Sequence, residues 1–145
     1  MEKIKIAIQK SGRLSEKSLD LLTECGIKIS NGSRKLKTDA RNFPMEILFL
    51  RDDDIPQYVE KGVADIGILG ENEVWEKDKN VEVIEKLGYG NCRLSLAIPK
   101  DEQYTGIEYF NNKRVATSYP KILSNYFTEK GMNVEIEQLG GSVEI

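Results

Sequence analysis

The chain has 145 residues, enough to bury a sizeable core, and 31% of them are charged, with 24 acidic against 21 basic. A formal net charge of −3 leaves no global basic field for nucleic acid, so recognition of an anion must rest on local clusters. Histidine is absent, which excludes Ser-His and Cys-His nucleophilic pairs and His-based zinc sites. Catalysis is left to carboxylates, lysine, arginine, tyrosine, backbone dipoles or a metal held by oxygen.

The opening residues enter a strand pattern at once, with no long apolar segment of the kind found in signal peptides or spanning helices. A cytoplasmic protein without a membrane partner is expected. Cys25 and Cys92 lie far apart, which speaks against a disulfide or thiolate metal site, and Cys25 is expected to pack on a helix face.

Ile4, Ile6 and Ile8 alternate with Lys5 and Ala7, the period of a strand with one strongly apolar face. A helix is predicted over residues 16–25, with Ser15 as N-cap, Leu19, Leu22 and Cys25 on one face, and Gly26 as its left-handed stop. Residues 31–42, with Lys35, Lys37 and Arg41, read as a loop or short hairpin with solvated cations. "MEILFL" at 45–50 suits an inner strand. Asp54 is placed to cap a helix that carries Pro56 in its first turn and runs to Gly62. Strand is predicted over 63–69, a polar turn at Gly70-Glu71-Asn72, and two further strands at 81–84 and 93–98 around the turn "GYGNC". Residues 99–112 look like connecting structure. The pattern then restarts, with strand at 114–116, helix at 120–130 stopped by Gly131, and strand at 134–136. Alternating strands and helices predict an α/β architecture with mostly parallel sheets.

In an open α/β sheet, ligands bind beyond the carboxyl ends of the strands, where loops feed helix N-termini. Four polar clusters fall at such positions: residues 9–13, 51–54, 70–72 and 117–119. In the first, Gly12 lets backbone approach a ligand while Lys10 and Arg13 add positive charge, a combination that suits phosphate. Neither a P-loop nor a Gly-x-Gly-x-x-Gly spacing is present, and the same turn also reads as a solvated loop. The run Asp52-Asp53-Asp54 invites a Mg²⁺ reading, but acidic side chains in the first turn of a helix are explained by its dipole, and no protein ligand to a metal is assigned. Arg51 follows an apolar strand directly, where its fork can grip a phosphate or pair with Glu71. Glu71 is a candidate for reading a ribose hydroxyl or an adenine amino group. Thr117, Ser118 and Tyr119 precede a helix with Pro120 at its start, and they read as an anion site or simply as its cap.

Taken together and in order, "IAIQKSGRLS", "LFLRDDDIP", "GVADIGILGEN", "CRLSLAIP", "ATSYP" and "GSVEI" resemble the ATP phosphoribosyltransferases, in particular the long form of that family. The resemblance implies transfer of phosphoribosyl from phosphoribosyl pyrophosphate to adenine N1 of ATP, with Mg²⁺ and release of pyrophosphate, as the first step of histidine biosynthesis. It implies a two-lobed fold like a type II periplasmic binding protein, with residues 1–91 in the first lobe and 92–145 in an incomplete second lobe. Lys10, Gly12, Arg13, Arg51, Glu71 and Asn72 would line the substrate site, with Thr117, Ser118 and Tyr119 contributed by the second lobe. Family members continue beyond "GSVEI", so the resemblance also implies an N-terminal portion that is inactive alone. The full-length enzyme would be a homo-oligomer inhibited by histidine through a domain outside these residues. The competing reading is a small-ligand sensor or solute-binding module of the same fold, which has less use for cations at Lys10, Arg13 and Arg51.

Overall fold

The computed structural model describes residues 2–30, 36–141 and 143. Lys35 and most of "GSVEI" lie outside them. Contacts divide the chain into two compact units, Met1–Cys92 and Arg93–Ile145.

The first unit is built on a four-stranded sheet. Strands β1 (Ile4–Gln9), β3 (Met45–Leu50) and β4 (Ile66–Gly67) are parallel, and β2 (Lys37–Asp39) adds antiparallel to β3, giving the order β2-β3-β1-β4. The short hairpin expected from residues 31–42 is thus formed in part by β2. Both faces of β1 and β3 are covered, which is why "MEILFL" is apolar at nearly every position. One face carries Ile6, Ile8, Met45 and Ile47 against Leu19 and Leu22 of helix α1 (Arg13–Glu24). The other carries Ala7, Leu48 and Leu50 against Ile55 and Val59 of helix α2 (Ile55–Glu60). Period-2 alternation sorts the residues of each strand between the two layers.

Gly67 sets how closely α2 lies on the sheet. A Cβ there would stand 2.5 Å from Ile55 Cγ2 and 3.3 Å from Val59 Cγ2, so a side chain has no room. The strand expected over 63–69 pairs with β1 only at Ile66 and Gly67, while Ala64 is buried and Val63 is exposed.

Several expectations need correction. Helix α1 starts earlier than expected, with Gly12 rather than Ser15 at the N-cap position; the Glu16 N–H already reaches the Gly12 carbonyl at 3.2 Å, and Ser15 is buried inside the helix. Its end is as expected: the Gly26 N–H bonds the Thr23 carbonyl and the Ile27 N–H the Leu22 carbonyl. Cys25 is exposed, because it is the cap residue itself and lies past the last packed turn. Asp54 has helical dihedrals and makes no capping bond, since Asp52–Asp54 form a 3₁₀ turn in which the Asp54 N–H bonds the Arg51 carbonyl. The polar turn at Gly70-Glu71-Asn72 opens a seven-residue helix, α3 (Glu71–Lys77), with acids in its first turn and Lys77 in its last.

The two strands expected at 81–84 and 93–98 are not formed. No ladder partner is offered to them among the described residues, and alternation without a partner makes no strand. Val83, Ile84, Leu87, Leu94 and Leu96 are exposed in consequence.

The second unit is a strand-helix-strand arrangement. Parallel strands β5 (Arg114–Thr117) and β6 (Glu135–Gln138) are joined by helix α4 (Pro120–Glu129), which begins with Pro120 and leads to Gly131 as expected. Phe127 of α4 and Phe110, from a 3₁₀ turn at Ile107–Phe110, are buried with ring centroids 6.0 Å apart.

Candidate functional site

Because β1, β3 and β4 run parallel, their carboxyl ends emerge along one edge of the first unit's sheet, and three of the four polar clusters follow those ends. Backbone bonds fix their spacing. The Lys10 N–H donates to the Leu50 carbonyl at 2.7 Å, joining the loops after β1 and β3, and the Ile68 N–H donates to the Ala7 carbonyl at 2.9 Å, joining β4 to β1.

The loop after β1 turns sharply at Gly12, whose φ of 93° is open to glycine and strained for other residues. That turn sets Arg13 at the first position of the twelve-residue α1. Lys10 and Arg13 are exposed, and neither forms an ion pair among the described residues. Two cations therefore stand beside the positive end of a helix dipole without an ion-pair partner among the described residues, which makes the turn electrostatically receptive to an anion.

Arg51 directly follows β3 and leans on the 3₁₀ turn after it, with Nη2 at 3.2 Å from Asp53 Oδ2. The alternative of an Arg51 pair with Glu71 is not what forms. Glu71 instead takes Lys86 Nζ at 3.1 Å. Lys86 is thus a further cation next to the loop after β4, and reading by clusters missed it because it sits in the 81–92 segment, outside any strand-to-helix join. Asn72 folds back on Gly70, where a Cβ would lie 2.4 Å from its Oδ1.

No three carboxylate or thiol side chains converge into a metal cage among the described residues. In the second unit, Thr117, Ser118 and Tyr119 lie at the end of β5. Thr117 Oγ1 accepts the Tyr119 N–H at 2.9 Å, and Ser118 Oγ donates to the Leu139 carbonyl at 2.7 Å. Both hydroxyls help to hold the strand end, but they differ in what is left: Ser118 has used its proton on Leu139, whereas Thr117 only accepts and keeps its hydroxyl proton for an anion.

An α/β sheet with cations gathered at its carboxyl edge is shared by many proteins, and sequence comparison decides among them. Residues 51–145 match the family model described as HisG: ATP phosphoribosyltransferase. The chain belongs to the ATP phosphoribosyltransferase family. The ATP phosphoribosyltransferase of Bacteroides thetaiotaomicron is 54% identical over 142 residues, covering 98% of this chain and 50% of its own length. That of Parabacteroides distasonis gives the same identity and coverage. The chain spans about half the length of the curated relatives it matches. Among solved structures, an ATP phosphoribosyl transferase (HisG:HisZ) complex from Thermotoga maritima superposes with a TM-score of 0.67 at 27% identity, covering 98% of this chain and 67% of that one. The family model begins at Arg51, whereas the match to ATP phosphoribosyltransferases over 142 residues takes in the Lys10–Arg13 turn as well.

Proposed function

We propose that the protein of which these residues form part transfers the phosphoribosyl group of phosphoribosyl pyrophosphate to adenine N1 of ATP, the first step of histidine biosynthesis. The observation that carries this reading is the 54% identity to ATP phosphoribosyltransferases across nearly the whole chain. The cations at the sheet edge support it independently. The N1 lone pair forms a bond to ribose C1 as the C1–O bond to pyrophosphate breaks, and both electrons of that bond leave with the pyrophosphate. Such a reaction asks for positioning and for neutralisation of the leaving group's charge rather than for a proton-transfer relay. A chain without histidine suits it.

In this reading Lys10, Arg13 and Arg51 bind phosphate groups, Gly12 gives them backbone access, and Glu71 and Asn72 read hydroxyl or amino groups of the nucleotide. Thr117, Ser118 and Tyr119 belong to the second lobe's share of the site. The two units are read as lobes of a type II periplasmic-binding-protein-like architecture. Mg²⁺ is proposed to enter on the polyphosphate of a substrate, as suits an ion that keeps several waters and takes few protein ligands. The intact enzyme is further proposed to be cytoplasmic, to form a homo-oligomer and to respond to histidine through a domain outside the residues described. Titration of the intact protein with ATP and, separately, with phosphoribosyl pyrophosphate tests the reading. Saturable binding of both is expected, and binding of neither by a folded protein contradicts it.

A further inference from the structure

Arg51 and Asp53 are unequal partners. The Arg51 side chain is 73% exposed, whereas that of Asp53 is 32% exposed and anchored on a short turn. The Asp53 N–H donates to Asp52 Oδ1 at 2.9 Å, and the Asp54 N–H closes the turn on the Arg51 carbonyl at 3.0 Å. A carboxylate held on a braced turn therefore grips one corner of a long, exposed cation. The remaining guanidinium donors have no partner among the described residues, and a guanidinium offers five.

The helix dipole favours an acidic side chain on this turn, but the hydrogen bonding of this carboxylate does not favour the fold. Its second oxygen, Oδ1, is buried with no hydrogen-bond partner among the described residues, an arrangement that opposes folding. The pair itself has its cation largely in solvent, and ion pairs open to solvent contribute little. What the carboxylate does achieve is a reduction in the freedom of Arg51, whose other donors stay unpartnered among the described residues, so that less ordering is required when a ligand arrives.

We infer that Asp53 is a positioning residue, which holds the Arg51 guanidinium in the orientation that receives a substrate phosphate. This rests on the reading of Arg51 as a phosphate ligand given above.

A double-mutant cycle on the intact protein tests it, with ATP and phosphoribosyl pyrophosphate titrated separately into the wild type, Arg51→Met, Asp53→Asn and the double variant. Arg51→Met identifies which substrate Arg51 holds. For that substrate, Asp53→Asn is expected to weaken binding by about fivefold when Arg51 is present and by less than about twofold when it is Met. Melting should be unchanged or raised, because a buried unmatched carboxylate oxygen loses its charge. Equal losses in both backgrounds, or no loss in either, would overturn the inference while leaving the reading of Arg51 intact. If Arg51→Met leaves both affinities unchanged, the phosphate reading fails and the inference with it. Asp53→Ala carries the same cycle should Asp53→Asn not fold.

Discussion

The Ser18 hydroxyl, fully buried in the middle of α1, donates to the Leu14 carbonyl at 2.7 Å and accepts from the Tyr89 phenol at 3.1 Å. Ser18 has one hydroxyl proton, so its use on Leu14 makes Tyr89 the donor. Among residues 81–90 every side chain except Val81 and Tyr89 is exposed. Tyr89 therefore fastens this segment, which has no ladder bonds, to the helix that carries Arg13, and the Lys86–Glu71 ion pair holds it from the other side. Replacing Tyr89 with Phe removes the bond without leaving Ser18 unpaired, since Leu14 remains its acceptor. The expected cost is about 0.5–1.5 kcal/mol in chemical denaturation. An unchanged midpoint would mean that ring packing alone holds the segment.

Residues 81–98 lack ladder bonds, whereas Ile6, Ala7 and Ile8 are buried in the middle of the sheet. Amide exchange of a polypeptide comprising residues 1–145 should show fast exchange over 81–98 and the slowest exchange in β1. Comparable protection in both stretches would contradict the unpaired state of that segment.

Gly67 admits no side chain beneath α2. Gly67→Ala forces a methyl to 2.5 Å from Ile55 Cγ2, and Ile55 is itself fully buried. Overpacking of this kind costs roughly 1–3 kcal/mol, read as a lower Tm. A variant that melts with the wild type would show that α2 moves off the sheet freely.

Arg13 stands at the start of α1 without an ion-pair partner among the described residues, so its removal disturbs little in the fold. Arg13→Met keeps the apolar stem and removes the fork. Charge-assisted hydrogen bonds are worth roughly 1.5–3 kcal/mol, so substrate affinity or turnover should drop by about one to two decades with Tm nearly constant. Loss of Tm with intact kinetics in the folded fraction would make Arg13 a structural residue.

What the sequence made legible follows from which signals are local. The β1 alternation, the all-apolar β3, Pro56, Pro120 and the glycine stop at Gly26 are written within a few residues, and each appears in the structure. The polar clusters after β1, β3 and β4 were readable as a group, because parallel strands bring successive carboxyl ends to one edge. Partner choice was not readable. Arg51 has carboxylates both two residues away and at Glu71, and only the 3₁₀ turn decides for Asp53. The strands expected at 81–84 and 93–98 failed for the same reason. An alternating pattern states which face is apolar but not whether a neighbouring strand exists to complete the ladder. Lys86 was missed because its partner, Glu71, is fixed by tertiary placement alone.

The most direct test of the central claim is to incubate the intact protein with ATP, phosphoribosyl pyrophosphate and Mg²⁺ and to follow the ultraviolet absorbance of the adenine ring. Bond formation at N1 alters the chromophore, so an absorbance change that requires both substrates, with pyrophosphate released in equal amount, is the predicted result. A folded, intact protein that binds both substrates yet yields neither adduct nor pyrophosphate across a range of Mg²⁺ concentrations would contradict it.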